Sequence, residues 1–354
     1  MIKKSIFREY DIRGIVPEEL NEQSIKLLGY YFGLEAIKQT NNTPTVVVGY
    51  DARTHSPELF GYLTSGLNEA GCKVLGMGMV ATGVNYFSTF QKFDGIEPDA
   101  SIMITGSHNP SEYNGFKMTI DHKPFFADAI YALGDKIIAN QNMVIETNEV
   151  YTKIDAKSMY IDWMVKEFSH LKGMSDKFII DCGNGVADTV LTEILDKLEL
   201  NYDGIYCDPD GTFPNHHPDP TEDHNLAEVV ELMKSGEYDL GVAYDGDADR
   251  VVAVDNLGQI IRADNMMALF LPEIVNDGDS IVFDVKCSQA LEDMILRYGG
   301  KPIMWKTGHS LIKKKMKEEH VKFAGEMSGH IFFGDDFFGF DDAVYVALRL
   351  AQTL

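Results

Sequence analysis

The stretch VVVGYDARTHSPEL at residues 46–59 contains a short apolar run that ends at an aspartate, then a tight polar turn and the start of a helix. The same order returns in FIIDCGNGVADTV at residues 178–190 and in IVFDVKCSQALEDM at residues 281–294. An apolar run bounded by turn residues and followed by a helical pattern is typical of a strand–helix unit. The three copies therefore predict three related α/β units.

The sequence around the first copy continues this alternation. Strands are predicted at Thr45–Gly49, Lys73–Leu75 and Ala100–Ile104, and helices at Pro57–Ala70 and Phe126–Asn140. Alternating strands and helices predict layered α/β architecture. The predicted fold class is α/β, with three consecutive related α/β domains, each a mixed sheet sandwiched by helices, around a central cleft.

Each unit also has a strand that ends in a loop rich in glycine and polar residues. These loops are TGSHNP at 105–110, DGDADR at 245–250 and GEMSGH at 325–330. Open α/β sheets place their sites at such strand ends. The predicted domains, each with one loop, are residues 1–150, 151–253 and 254–354. Chance recurrence within an α/β chain is the alternative for the repeat taken alone.

Composition restricts the class of protein. Of the 354 residues, 45% are hydrophobic and 24% charged, as in ordinary globular proteins. The basic amino terminus lacks the apolar core of a secretory signal, and no apolar run approaches the roughly 18 residues of a membrane span. Cys72, Cys182, Cys207 and Cys287 form no C-x-x-C pair, which indicates a reducing cytoplasm rather than a disulfide framework.

The formal net charge of −24 disfavours nucleic acid and anionic membranes as partners. The same charge repels phosphorylated sugars, so an enzyme acting on them must gather its cations into one cleft. We expect a monomer or a weak dimer.

The second loop carries Asp245, Asp247 and Asp249 directly after the apolar strand Leu240–Tyr244. In an extended segment, this two-residue spacing places all three carboxylates on one side. Three adjacent like charges are costly unless a cation neutralises them, and carboxylate oxygens suit Mg²⁺. An EF-hand is excluded because its sixth position, which needs glycine, is Arg250. A solvated acidic turn is the alternative.

The first loop carries Ser107 after the strand Ser101–Ile104. Gly106 allows a sharp turn, and Pro110 prevents a helix from following at once. Successive amides in such a loop could bind an anion, and Lys117 follows closely enough to neutralise a phosphate. A capped turn with an ordinary serine is the alternative.

The third loop carries Glu326 and Ser328, a carboxylate and a hydroxyl spaced to bind vicinal hydroxyls of a pyranose. A solvated glutamate is the alternative. Nearby, Thr307-Gly308-His309 precedes a predicted helix start, a plausible anion site. The helical run Leu311–Met316, with three consecutive lysines, is interpreted as a solvated face.

The candidate cleft cations lie at strand ends and tight turns rather than on helix faces. They are Arg8, Arg13, Lys117, Arg250 and Lys286, accompanied by His108, His309 and His330.

Seven motifs, in the family's order along nearly the whole chain, resemble the α-D-phosphohexomutase family, in its bacterial phosphomannomutase/phosphoglucomutase branch. They are FREYDIRG, TGSHNP with NGFKM, DCGNGVA, FPNHHPDP, DGDADR, KTGHS and GEMSGH. The glucosamine branch of the family typically has alanine before its serine and GEQSGH in the sugar loop. This chain has Gly106 and Met327 at those positions.

The resemblance implies an isomerase that interconverts hexose 1-phosphate and hexose 6-phosphate, for mannose, glucose or both. Ser107 would carry a phosphoryl group at rest. One Mg²⁺ per chain would be held by the phosphoserine together with Asp245, Asp247 and Asp249. A hexose 1,6-bisphosphate would be the intermediate and activator.

The resemblance also implies roles for the remaining site residues. The catalytic residues beside Ser107 would be Arg13, His108, Lys117 and His330. The substrate-binding residues would be Tyr10, Arg250, Lys286, Gly308, His309, Glu326 and Ser328.

The family has a fourth domain that clamps the non-reacting phosphate, whereas this sequence stops inside the amphipathic run Asp341–Leu354. A truncated chain with impaired mutase activity is therefore expected. Two other readings stay open. One is a haloacid-dehalogenase-type sugar phosphatase with Asp245 as nucleophile, although Asp249 stands where that motif expects threonine or valine. The other is a catalytically weak sugar-phosphate binding fragment.

Overall fold

The computed structural model describes residues 2–354, which divide into two compact units. One unit runs to Tyr160 and includes Asp210–Thr212, and the other comprises Ile161–Pro209 and Phe213–Leu354. Among the described residues, no helix combines the length and the apolar content that a membrane crossing requires.

The first unit contains a seven-stranded mixed sheet. Its strands are β1 (Ile12–Ile15), β2 (Thr45–Tyr50), β3 (Lys73–Met79), β4 (Ala100–Ile104), β5 (Tyr113–Ile120), β6 (Lys123–Pro124) and β7 (Thr152–Lys153). The order is β1-β5-β4-β2-β3-β7, with β6 paired to β5. The helices of this region are α1 (Glu22–Thr40), α2 (Ser56–Glu69), α3 (Thr82–Ser88) and α4 (Asp128–Ala139).

The second unit begins within helix α5 (Ala156–Glu167) and contains two sheets. The five-stranded sheet has the order β12-β11-β10-β8-β9. Its strands are β8 (Lys177–Asp181), β9 (Asn201–Ile205), β10 (Leu240–Tyr244), β11 (Val251–Asp255) and β12 (Ile260–Ile261). Helices α6 (Leu191–Lys197) and α7 (Ala227–Lys234) connect them.

The last sheet has four strands in the order β14-β13-β15-β16. They are β13 (Ser280–Asp284), β14 (Lys301–Trp305), β15 (Phe323–Gly325) and β16 (Ile331–Phe333). The helices are α8 (Ala263–Ile274), α9 (Gln289–Arg297), α10 (His309–Glu319) and α11 (Ala343–Ala351).

The predicted repeat is confirmed in the strand order of the three sheets. Each contains the same four-strand path: β5-β4-β2-β3, β11-β10-β8-β9 and β16-β15-β13-β14. In each sheet, the strand that ends at or just before an aspartate (β2, β8 or β13) pairs in parallel with a neighbour (β4, β10 or β15). That neighbour is followed by an antiparallel partner (β5, β11 or β16). The three loops at residues 105–110, 245–250 and 325–330 are therefore hairpin connections at equivalent positions.

The predicted elements agree closely with those observed, except that β3 extends four residues further, to Met79. Gly76 and Gly78 both lie within β3, which stays paired with β2 up to Met79 through an irregularity of register between Val48 and Gly49. The domain divisions at 150 and 253 stay predictions. The pairing of β7 with the first sheet and of β12 with the second favours moving both divisions a few residues further along the chain.

Helices α1 and α2 cross with their backbones in contact. A Cβ added to Gly66 would lie 2.0 Å from the carbonyl oxygen of Lys26 and 3.0 Å from Cα of Gly29. A Cβ on Gly29 would lie 2.4 Å from the carbonyl oxygen of Leu63. Both positions therefore need glycine for space, since backbone cannot move aside as a flexible side chain can.

We expect Gly66→Ala to lower the melting temperature. Alanine in a helix is intrinsically better than glycine by about 1 kcal/mol, but forced overpacking costs about 1–3 kcal/mol. Thermal unfolding followed by circular dichroism measures the outcome. Glu69→Ala, at an exposed position of the same helix, is the control and should change stability by less than about 0.5 kcal/mol. A melting temperature raised by Gly66→Ala contradicts the close crossing.

Candidate active site

Ser107 lies in the hairpin between β4 and β5, with a left-handed backbone (φ +46°) and only 2% exposure. Its amide donates to the Thr105 hydroxyl at 2.7 Å, and its Oγ lies 3.1 Å from Nδ1 of His108. A left-handed conformation is unfavourable for any residue with a Cβ, so surrounding contacts must impose it. The serine hydroxyl is thereby held in a fixed place at the strand end.

Arg53 lies beneath this loop and is almost completely buried, at 1% exposure. Its guanidinium donates to the carbonyl oxygens of Ser107 (2.9 Å), Asn109 (2.6 Å), Pro110 and Tyr113 (3.1 Å). A guanidinium has five N–H donors in a rigid fork, which suits it to hold several carbonyls at once. Arg53 therefore fixes the backbone that carries the serine.

Asp51, the residue that follows β2, completes this support. Its Oδ2 accepts from the Gly106 amide at 2.9 Å and from Arg53 Nε at 3.1 Å, and its Oδ1 accepts from the Ser56 hydroxyl at 2.7 Å. A Cβ on Gly106 would lie 2.2 Å from Arg53 Nε. Glycine is thus required there for space beside the guanidinium, whereas the left-handed residue of the turn is Ser107 rather than Gly106. Sequence reasoning missed Asp51 and Arg53, although the aspartate recurs in all three copies of the repeat.

Three other predicted residues lie in the same unit. Arg13, on β1 and 5% exposed, donates to the Gly106 carbonyl oxygen and to Oδ1 of Asn109 and pairs with Asp11. It therefore contacts the serine loop directly. Lys117 is buried on β5, and Tyr10 is half-buried in the segment before β1.

Asp245, Asp247 and Asp249 lie in the hairpin between β10 and β11 and are each at most 1% exposed. One carboxylate oxygen from each lies within 4.8 Å of the others. Their convergence comes from a turn, with Ala248 at φ +58°, rather than from an extended segment as the sequence argument assumed. Asp245 Oδ1 anchors the turn by accepting from the amides of Asp249 and Arg250, both at 3.1 Å. Three buried hard-oxygen donors in mutual reach fit Mg²⁺.

Arg250 links this turn to the third sheet. Its Nε donates to Nε2 of His330 at 3.0 Å, and it lies 4.0 Å from Oδ2 of Asp245. Burial alone would lower the pKa of Arg250. The nearby carboxylates, of which Asp245 has the largest effect, raise it by more, so the pKa of Arg250 is raised overall. Because Arg250 is a donor only, His330 must accept at Nε2, so the proton of a neutral ring is on Nδ1.

Asp341, which sequence reasoning missed, lies beside that nitrogen. Its Oδ2 lies 2.9 Å from Nδ1 of His330 and 3.7 Å from Nδ1 of His309, and its Oδ1 pairs with Lys313 at 2.9 Å. Burial alone would raise the pKa of Asp341, yet Lys313 and the two histidines hold it well below its usual range. Asp341 therefore orients His330. Its only sequence signal was a position just before a helix start.

The interpretation of Leu311–Met316 as a solvated face is wrong for two of its three lysines. Lys313 is 10% exposed and paired with Asp341, while Lys315 lies over the Trp305 ring at 4.3 Å. Only Lys314, at 58% exposure, fits the expectation. The charge of a lysine does not show whether its side chain contacts a buried partner.

In the third loop, Glu326 is 1% exposed and accepts from the amide of Gly308, the residue that caps α10. Burial raises the pKa of Glu326, against the lowering effects of His330 and the Gly308 bond. Ser328 is half-buried, and Lys286, just after β13, is exposed.

Asp284 supports this loop in the way that Asp51 supports the serine loop. Its Oδ1 accepts from the Met327 amide at 3.0 Å, and its Oδ2 accepts from the Thr307 hydroxyl at 2.7 Å. In the second sheet the support is backbone to backbone, because the amide of Val186 donates to the Gly246 carbonyl oxygen at 3.1 Å. His309 and His330 both lie beside Asp341, and His330 contacts Arg250 at the end of residues 245–250, the candidate metal loop.

Three family models match consecutive parts of the chain. They describe phosphoglucomutase/phosphomannomutase, alpha/beta/alpha domain I at residues 4–141, domain II at 158–258 and domain III at 262–354. A phosphomannomutase/phosphoglucomutase of Pseudomonas aeruginosa is 42% identical over 352 residues, which cover 99% of this chain and 74% of that protein. A phosphoglucomutase of Neisseria meningitidis is 38% identical over 355 residues, covering 100% and 75%.

A solved crystal structure of a similar protein also matches this chain over its whole length. The phosphoglucomutase/phosphomannomutase family protein of Burkholderia thailandensis is 39% identical and has a TM-score of 0.92. The match covers 100% of this chain and 77% of that one.

We expect Arg53→Lys to loosen the serine loop while the sheet remains folded. An ammonium group cannot hold four carbonyls, and each bond from a charged donor contributes about 1.5–3 kcal/mol. Amides in residues 105–113 should exchange hydrogen at least about tenfold faster, measured by mass spectrometry. Arg8→Lys, at an exposed position, is the control. Equal exchange in the variant and the native chain contradicts the role of Arg53.

Proposed function

This chain belongs to the phosphoglucomutase/phosphomannomutase family, and on that premise we propose that it interconverts a hexose 1-phosphate and the corresponding hexose 6-phosphate. It is an isomerase of that family. Mannose and glucose are the candidate sugars, because the similar proteins are named for one or both. Its partners in this proposal are small hexose phosphates, and its location is the cytoplasm.

Ser107 is the proposed carrier of the transferred phosphoryl group. The observation that carries this proposal is its buried, left-handed position on a loop held by Arg53 and Asp51. Phosphoryl transfer depends mainly on positioning and on charge stabilisation, so a rigid serine is better suited than a mobile one.

The proposed cycle has two transfers. The 6-hydroxyl of a hexose 1-phosphate attacks the phosphorus of phosphoserine at residue 107 and loses its proton to a base. The bond from phosphorus to the serine oxygen breaks, and that oxygen takes up a proton to become a free hydroxyl. The resulting 1,6-bisphosphate turns over and returns its 1-phosphoryl group to Ser107, which releases the 6-phosphate. The bisphosphate can also charge an unphosphorylated enzyme. Arg13, His108, Lys117 and His330 are the candidates to move the proton or stabilise the transition state.

Asp245, Asp247, Asp249 and the phosphoserine oxygens are the proposed Mg²⁺ ligands. The burial and mutual distances of the three carboxylates support this set. Bound Mg²⁺ supplies positive charge that offsets the negative charge of the transferred group. Arg250, which donates to His330, is proposed to donate to a phosphoryl oxygen as well.

Glu326 and Ser328 are the proposed ligands of two adjacent sugar hydroxyls. Glu326 is oriented by the Gly308 amide, and an oriented carboxylate can accept from hydroxyls in both orientations of the sugar. Gly308 and His309, at the start of α10, are proposed to bind phosphate together with Lys286, and Tyr10 is proposed to contact substrate.

A coupled assay tests the function. The chain is given mannose 1-phosphate or glucose 1-phosphate with a trace of the 1,6-bisphosphate and Mg²⁺, and formation of the 6-phosphate is measured alongside free phosphate. We expect 6-phosphate and a phosphoserine at residue 107 by mass spectrometry. Free phosphate without 6-phosphate indicates the phosphatase alternative, and neither product indicates a binding protein.

We expect Ser107→Ala to abolish turnover in this assay while the melting temperature stays close to that of the native chain. The serine is the only proposed covalent carrier, and losing such a group usually costs several orders of magnitude in rate. Ser111→Ala, which removes an exposed hydroxyl four residues away, is the matched control and should remain active. Native-level turnover in Ser107→Ala excludes the carrier role.

We expect Asp247→Ala to weaken Mg²⁺ binding and activity together, because the three carboxylates share one cation. Isothermal titration with Mg²⁺ gives the affinity, and excess EDTA should abolish turnover of the native chain. Glu237→Gln, an exposed acidic position in the same domain, is the control. An unchanged titration in Asp247→Ala, or full activity in EDTA, contradicts the metal site.

A further inference from the structure

Cys182 and Cys207 bring their sulfur atoms within 2.8 Å of each other. They follow the neighbouring parallel strands β8 and β9, whose ends are in register at Asp181 and Ile205. Sulfurs in a disulfide lie about 2.05 Å apart, so bonding requires them to approach by less than ~1 Å. We propose that these cysteines form a reversible disulfide when hydrogen peroxide or an organic hydroperoxide reaches them.

The backbone around the pair is held in place. The Cys182 amide donates to the Ile205 carbonyl oxygen at 3.2 Å, and the Asn184 amide donates to that of Tyr206 at 2.8 Å. The side-chain amide of Asn184 also donates to the carbonyl oxygen of Asp208 at 2.9 Å. The two turns therefore remain together, and the sulfurs meet without a rearrangement of the chain.

The two thiols differ in their access to an oxidant. Cys207 is half-buried, whereas Cys182 is completely buried. The hydrogen bond to the Cys207 sulfur, together with burial, raises the pKa of Cys182. Cys207 is therefore the thiol that reacts first, since a thiolate with access to solvent is the nucleophile in such oxidations.

The chemistry balances in two steps. The Cys207 thiolate attacks one oxygen of hydrogen peroxide, which breaks the O–O bond and yields a sulfenic acid and hydroxide; with the proton released on thiolate formation, this gives water. The Cys182 sulfur then attacks the Cys207 sulfur, the S–O bond breaks, and a second water leaves with the Cys182 proton. Two thiols are oxidised and one peroxide is reduced to two waters.

The pair lies directly behind the metal loop. The Gly185 amide donates to the Cys182 carbonyl oxygen at 2.8 Å, and the next residue, Val186, donates to the Gly246 carbonyl oxygen at 3.1 Å. A disulfide here should stiffen the turn against which the metal loop packs.

Thiol counting and peptide mapping test the bond. The chain has four free cysteines, and peroxide treatment should reduce the number of titratable thiols from four to two. A peptide linking Cys182 to Cys207, lighter by two hydrogens than the reduced pair, should appear and be removed by dithiothreitol. Cys207→Ser should form no such link, whereas the matched control Cys72→Ser, at a buried cysteine in the other unit, should form it normally.

Over-oxidation of Cys207 to a sulfinic acid without a linked peptide overturns the proposal, as does retention of both thiols under peroxide. Hydrogen exchange of residues 245–250 then tests the effect on the metal loop, with slower exchange expected in the oxidised chain. Unchanged exchange overturns the stiffening. None of these measurements requires turnover, so failure of the disulfide and failure of the proposed mutase activity are distinguishable.

Discussion

A buried carboxylate at the end of a central strand holds the hairpin loop of the neighbouring strand, and the candidate chemistry depends on this contact. Asp51 accepts from the Gly106 amide, and Asp284 accepts from the Met327 amide at the equivalent place in another sheet. Bonds from backbone amides to a carboxylate are roughly twice as strong as bonds between neutral groups. They allow irregular loops to keep one conformation next to a regular sheet.

Buried contacts also stabilise and orient charged groups in the second unit of this acidic chain. The whole chain has a formal net charge of −24, yet Asp341 is stabilised as an anion by Lys313 and by two histidine rings. Its charge in turn fixes the ring of His330, and His330 fixes Arg250. Lys313, on a helix far along the sequence from the metal loop, therefore influences the position of Arg250 beside that loop. It does so through a series of buried contacts with Asp341 and His330.

The sequence predicted the α/β class, the threefold repeat and the loops, because hydrophobic periodicity and turn residues are local signals. It did not predict Arg53, whose carbonyl partners lie more than fifty residues away. Nor did it predict why Asp245, Asp247 and Asp249 converge, because a left-handed residue inside the turn produces the convergence. Contacts between side chains and distant backbone leave no periodic pattern in a single sequence.

The left-handed backbone of Ser107 has a consequence for how this position can evolve. Glycine adopts that conformation with no steric penalty, whereas a residue with a Cβ gives up roughly 1–2 kcal/mol. Glycine at this position would therefore remove the penalty, but it would also remove the hydroxyl. The loop keeps that hydroxyl at a stability below the maximum that glycine would allow.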